Sequence, residues 1–139
     1  MEYRMNELAI TLPDGGWVDR SSNRLQIQAP DGTLIMVEVE RRDPVPAEEM
    51  VEHADAELRR MGRAHRGFQL LAREEFNSGV VQGIRVSFRS IGSDGALHHE
   101  LVYMPLTTAL MVLVVNGRAV HAEACTEVLR QAVESIQLR

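Results

Sequence analysis

The sequence predicts an α+β fold: an antiparallel β-sheet meander with two helices packed on it, in the order βββαββββα. Three observations carry this. Short β-rich runs recur along the chain, a helical apolar period appears in only two places, and the last four strand-like runs are separated by turns too short for a crossover helix. With 139 residues, 45% apolar and 25% charged, the chain reads as a single globular domain over 1–139, with no repeat, linker or low-complexity segment.

Leu8, Ile10 and Leu12 alternate with polar or small neighbours and stop at "PDGG", which predicts a first strand from Tyr3 to Leu12. "NRLQIQAP" (23–30) and "TLIMVEVER" (33–41) flank "PDG" and predict a hairpin. A three-residue loop at 30–32 pairs Ile27 with Ile35 and Leu25 with Val37, so that all four share a face. A two-residue loop would slip the register by one and bring Met36 there instead. The Leu25/Ile27 side is then either core, with Gln26 and Gln28 hydrated, or a surface kept apolar for a partner.

"DPVPAEEMVEHADAELRRMG" (43–62) predicts a helix, with prolines before it, acids in its first turn, arginines in its last and Gly62 as its stop. Its apolar stripe is Met50 or Val51, Ala54, Leu58 and Met61. Residues 67–76, 79–91, 95–105 and 107–115 predict four successive strands. After the "NG" at 116–117, Ala124, Cys125, Val128, Leu129, Ala132, Val133 and Ile136 recur at helical spacing and predict a closing helix. Two helices cover only part of such a sheet, yet Leu34 and Met36 oppose Ile35 and Val37, and 101–115 is apolar on both sides. A second buried or partner-covered surface is therefore expected.

Composition excludes several functions. A net charge of −5 with six aromatic residues argues against nucleic acid as a partner. All fifteen basic residues are arginines, so there is no lysine for a Schiff base or a P-loop. The lone cysteine, Cys125, makes neither an intramolecular disulfide nor a cysteine-rich metal site, which fits a reducing compartment. The charged N-terminus lacks a signal-like stretch, and the apolar run at 109–115 is too short to span a bilayer. A cytoplasmic location without membrane insertion is the expectation.

The candidate chemistry is sparse. Strand alternation puts His98 and Glu100 on one face and His99 on the other, and without a third convergent group they read as a polar edge-strand pair. Glu49, His53 and Glu57 share a helical face, as do His121 and Cys125, but the first set reads as solvated ion pairing and the second lacks further zinc ligands. Cys125 lies on an apolar stripe, where cysteine behaves as a small hydrophobe. The arginines of "RRMGRAHR" (59–66) read either as a site for a phosphate or an acidic partner or, as the ordinary explanation, as the answer to a helix C-terminal dipole. No catalytic constellation, cofactor site or metal site assembles.

The opening of the chain adds a resemblance. Tyr3, Asn6, Glu7, Leu12, Pro13, Trp17 and Asp19 reproduce the aromatic residue, Asn-Glu pair, Leu-Pro turn and Trp-x-Asp with which the Eag chaperones of bacterial type VI secretion begin. The extra glycine of "PDGGW" departs from that pattern; the later "GFQLLARE" and the closing helix are compatible with it. The resemblance implies a Mog1/PsbP-like fold, a homodimer and a non-enzymatic role. The client would be the apolar N-terminal transmembrane helices of a PAAR- or Rhs-type effector, held soluble in the cytoplasm until loading. On that reading Leu25, Ile27, Ile35, Val37 and Val39 line the client groove, and Gln26 and Gln28 face the helices or a dimer contact. The alternatives are a binding module of the same fold that uses a sheet edge with no role in secretion, and an enzyme centred on His98, Glu100 or Cys125.

Overall fold

The computed structural model describes residues 2–4, 9–11, 13–14 and 20–136. In chain order the elements are β1 (Glu2–Arg4), β2 (Ala9–Thr11), β3 (Ser22–Gln28), β4 (Leu34–Arg42), α1 (Met50–Ala64), β5 (Gln69–Asn77), β6 (Gln82–Gly92), β7 (Gly95–Pro105), β8 (Leu110–Arg118) and α2 (Ala122–Glu134). A 3-10 turn leads into each helix. Strands β3 to β8 form one antiparallel sheet in the order β3-β4-β8-β7-β6-β5. The expected α+β architecture is present: the last four strands are a meander, and the β3–β4 hairpin joins it along β8.

The N-terminal strand differs from expectation. Residues 3–12 are not one run; β1 and β2 pair with each other, Tyr3 opposite Ile10. Of the alternating residues that suggested a single strand, Ile10 lies in β2. Leu8 and Leu12 lie outside the described residues, as do Asn6, Glu7, Trp17 and Asp19.

Each helix takes one face of the sheet. Helix α1 buries Met50, Ala54 and Leu58 against Ile84, Val86, Phe88, Leu101, Tyr103, Leu110 and Val112. Helix α2 buries Cys125 and Leu129 on the other side, against Val102, Met104, Leu113 and Val115. Adjacent residues of β7 and β8 therefore enter different cores, which explains why 101–115 is apolar on both sides. The chain's own helices cover both faces there, and no partner is needed.

Two glycines act differently from the turn signals they suggested. Gly62 does not stop α1, which continues to Ala64; the left-handed residue that follows is Gly67, at φ 64°. A glycine inside a helix costs only about 1 kcal/mol, so it does not end one. Gly117 does not break β8 but lies buried within it. A Cβ at that position would sit 2.9 Å from Cys125 Sγ and 3.5 Å from Ile35 Cγ1, so the absence of a side chain is what lets α2 lie close to the sheet.

Candidate functional site

The β3–β4 hairpin has the three-residue loop. Ala29 N–H donates to Thr33 O at 2.7 Å, Gly32 N–H to Ala29 O at 2.9 Å, and Gly32 takes φ 86°, the left-handed residue such a loop demands. The register follows: Ile27 pairs with Ile35, Leu25 with Val37 and Asn23 with Val39. The loop is also tied to the far helix. Asp31 accepts hydrogen bonds from Thr33 N–H (3.0 Å), Thr33 Oγ1–H (2.6 Å) and His121 Nε2–H (2.9 Å), and these hold its carboxyl well below the usual range, the Thr33 bonds most of all. His121 stands in the turn that opens α2, so this contact fixes the hairpin beside that helix.

Cross-strand pairing assigns faces. Val37 pairs with Val115 and Val39 with Leu113, both within the core beneath α2. Leu25, Ile27, Ile35, Val37 and Val39 therefore share the α2 face, and the structure brings all five candidate residues together. Their environments form a gradient outward from the helix. Ile35 is buried, Val37 and Val39 are half-buried, and Leu25 and Ile27 are 66% and 60% exposed. Ile35 belongs to the fold, whereas Leu25 and Ile27 form an apolar shelf beyond the cover of α2.

The other face of the same hairpin is polar and exposed along β3, while β4 carries Leu34 and Met36 there and is partly covered farther along, where Arg42 meets Glu57 of α1. Ser22 Oγ donates to Glu38 Oε1 at 2.9 Å and Arg24 Nη2 reaches Glu38 Oε2 at 3.3 Å; the Ser22 bond, helped by Arg24, holds the Glu38 carboxyl low. Gln26 and Gln28 lie on α1's side of the sheet but beyond the helix, exposed, with Gln28 Nε2 donating to Gly32 O at 3.2 Å. Solvation thus explains the glutamines and leaves the leucine and isoleucine unexplained.

The remaining candidates resolve into structural networks. His98 and Glu100 are not an edge pair: β7 is a central strand, and both residues are buried beneath α2. Glu100 Oε1 receives Arg85 Nη2 (2.9 Å), His98 Nε2 (3.0 Å) and Thr126 Oγ1 (2.6 Å). Burial alone would raise the Glu100 carboxyl; the bonds from His98 and Thr126, with the Arg85 guanidinium, outweigh it and hold it low. This network latches α2 to the sheet. Cys125 is buried, and desolvation followed by the Glu100 charge pushes its thiol up to about 11, which removes the thiolate a nucleophile needs. His121, its supposed base, is engaged by Asp31. Glu57 grips Arg42 through both oxygens, at 3.1 and 2.9 Å, with His53 3.6 Å away. Arg59, Arg60, Arg63 and Arg66 are exposed around the end of α1.

One arrangement escaped sequence reasoning. His99 Nδ1–H donates to Asn116 Oδ1 at 2.7 Å, which leaves Nε2 to accept Ser90 Oγ–H, also at 2.7 Å, while the ring stacks on Phe88 at 4.4 Å. Burial, opposed by the Asn116 bond, holds His99 below its ordinary value of 6.5. The order is that of nucleophile, base and orienting group, but Ser90 is 3% exposed and its hydroxyl is closed to a substrate. A cleft of about 450 Å³ between α2 and β5–β7 has an apolar floor of Phe76, Val102, Leu129 and Val133. Its rim cations are already neutralised, Arg85 by Glu74 and Glu100, and Arg130 by Glu127 and Glu134. Among the described residues no group of three or more His, Cys, Asp or Glu converges on a metal-sized site, and no helix is long and apolar enough to cross a membrane.

The fold has a close counterpart among solved structures. PA94 of Pseudomonas aeruginosa, described as a protein of unknown function and candidate regulator, superposes with a TM-score of 0.81 over 100% of this chain and 96% of its own, at 16% identity. What the two share is the fold. LpqN of Mycobacterium tuberculosis, described as involved in cell envelope biogenesis, aligns over 80% of each chain at 13% identity with a TM-score of 0.43, too low to carry an argument. No family model and no curated protein sequence matches the chain.

Proposed function

We propose that this protein holds an apolar helix of a partner protein against the outer end of its sheet, shielding that helix from water. The observation that carries the reading is the shelf: Leu25 and Ile27 are exposed on a strand whose other side chains are polar, and they continue the apolar face of Val37 and Val39. Scattered apolar residues at a surface are ordinary, but two on one face of one strand, continuous with a core, form a patch. Covering each adds about 1 to 2 kcal/mol, given that roughly 60% of each is left to bury. A helix lying along the strand would collect both.

The resemblance at the N-terminus supports a finer version: a cytoplasmic, Eag-like chaperone of Mog1/PsbP-like fold that keeps the transmembrane helices of a type VI secretion effector soluble before loading. The role is binding rather than catalysis, in keeping with the closed states of Cys125 and Ser90. The test is co-expression with the apolar N-terminal region of an effector encoded beside this protein. The expected result is a soluble complex with the unaltered chain, and an insoluble or degraded effector region with Ile27→Arg, whose guanidinium would face the helix without a counter-charge. An Ile27→Arg protein that still holds the helix region removes the shelf as the binding surface.

A further inference from the structure

We infer that the end of the sheet at which α1 finishes docks on an anionic phospholipid surface, with its arginines among the head groups and two turn-borne aliphatic side chains just beneath them. Register defines this end. Arg89 of β6 is opposite Gln69 at the start of β5 and His98 near the start of β7, and Arg118 at the end of β8 is opposite Leu97. Ile91 N–H donates to Arg66 O at 2.8 Å, which brings the chain leaving α1 to the same place. Among the described residues Arg59, Arg60, Arg63, Arg66, Arg89 and Arg118 are exposed and lie in no ion pair, and all six belong to this end or to the last two turns of α1 that lead to it. Elsewhere the guanidiniums are matched: Arg24, Arg73 and Arg85 in mid-strand, and Arg20 and Arg42 at the far end of the sheet, each meet a carboxylate. The described carboxylates at the arginine-rich end are Asp31, Asp94 and Glu123, and Asp31 is engaged by His121. In a chain of net charge −5, this segregation gives one positive end that turns toward an anionic surface.

The arrangement suits a surface better than a small ligand. At about 100° per residue, Arg59, Arg60 and Arg63 fall within an arc of about 100° on the side of α1 opposite the buried Ala54 and Leu58. They spread along a convex ridge, so no single phosphate is gripped by all of them, whereas a layer of phosphates meets each. Ile91 is 47% and Val120 75% exposed, and each stands two residues beyond an unpaired arginine, Arg89 and Arg118. An acidic protein segment answers the arginines and leaves these two side chains in water. A lipid surface takes both, with phosphates at the level of the guanidiniums and an apolar layer below. Nucleic acid asks for exposed rings on which bases stack, and the rings here, Phe68 and Phe88, pack on each other at 4.9 Å in the core beneath α1. Among the described residues no helix is long and apolar enough to cross a membrane, so the contact is peripheral. It uses neither Leu25 nor Ile27 and stands apart from the helix-binding reading.

Co-sedimentation of the full chain with sucrose-loaded vesicles tests the docking. Vesicles of phosphatidylcholine and phosphatidylglycerol in equal parts should carry the protein down at about 0.1 M salt and release it at about 0.5 M, where screening shortens the reach of each charge from about 10 Å to about 4 Å. Vesicles of phosphatidylcholine alone should not carry it down. Each arginine near an anionic leaflet contributes about fivefold to partitioning, so Arg63→Gln combined with Arg66→Gln should lower it about 25-fold. Ile91→Ser combined with Val120→Ser should lower it several-fold, and Arg20→Gln, at the far end, should leave it unchanged. Far-UV circular dichroism checks that each variant is folded. No sedimentation with the mixed vesicles at low salt overturns the inference. So does undiminished sedimentation of the Arg63→Gln, Arg66→Gln protein, which places the contact elsewhere. Equal sedimentation with phosphatidylcholine alone does the same, because an apolar surface and not the arginines is then responsible. If the Ile91→Ser, Val120→Ser protein binds the mixed vesicles and poly-glutamate as well as the unaltered chain does, charge alone is read, the occupant is an acidic protein segment, and the membrane is ruled out.

Discussion

The two edges of the six-stranded sheet are built to opposite ends. Strand β5 is blunted. Its register slips between Leu70 and Ala72, Arg73 reaches Asp55 of α1 at 2.6 Å, and Glu74 reaches Arg85 of β6 at 2.9 Å. The slip disrupts the ladder and the ion pairs draw charged side chains inward, both of which discourage a further strand. Its exposed Leu70 and Leu71 sit at the slip. Strand β3 lacks the slip: its Arg24 pairs with Glu38 of β4 much as Glu74 pairs with Arg85, but it is regular over its length, exposed at each residue, and apolar on the face that α2 leaves open. Among the described residues, one edge is irregular and tied to α1, and the other is regular and open.

The same kind of substitution is expected to have opposite consequences at the centre of the sheet and at the β3 edge. The largest effect is expected for Val102→Asp, which puts an unpaired carboxylate beneath α2, on the same face as Ile27 but fully covered. It should cost about 4 kcal/mol or more and leave little folded protein in urea titrations. Next is Arg85→Ala, which removes the guanidinium from the buried Glu100 and leaves His98 and Thr126 as its only partners. Because Arg85 retains some exposure, the expected loss is about 2 to 3 kcal/mol, read as a shift in the urea midpoint.

A smaller effect belongs to His99. Its proton affinity is depressed in the folded protein, so the unfolded chain binds the proton first. The stabilisation is complete above about pH 6.5 and is lost as pH falls from there toward the folded value. Urea midpoints at pH 7.5 and 5.5 should show this loss in the unaltered protein and a weaker one in His99→Gln. Arg73→Ala at the protected edge should cost about 0.5 kcal/mol or less, since its ion pair with Asp55 is partly solvated. A larger value would mean that the edge charges hold the fold together rather than guard the edge.

Much of this was legible in the residues. Alternation along β3 and the second half of β4 pointed to the hairpin, but "PDG" left a three- or a two-residue loop open, and the hydrogen bonds around it decide the register that puts Leu25, Ile27, Val37 and Val39 on one face. What alternation cannot supply is cover. The helical stripes of α1 and α2 do not say that the two helices lie on opposite faces, so the two-sided apolarity of 101–115 left open whether a partner or the protein itself covers the second face, and the protein covers it. Strand order was also hidden. With β7 between β6 and β8, the His98–Glu100 pair is buried rather than marginal, and Ser90, His99 and Asn116 meet only because three strands fall into one register. The "NG" at 116–117 read as a break because a glycine demanded by close packing, like Gly117, looks the same in sequence as one demanded by a turn, and Gly62 read as a stop although a helix tolerates it.

Thermal unfolding of Ile27→Arg tests most directly the claim that the outer shelf belongs to a partner and not to the fold. With Ile27 60% exposed, the arginine reaches water, and the midpoint should stay within about 2 °C of the unaltered protein, the shift expected for a surface substitution worth at most ~0.5 kcal/mol. A fall of about 10 °C or more, of the kind Val102→Asp should produce, would place Ile27 in the core and contradict the account.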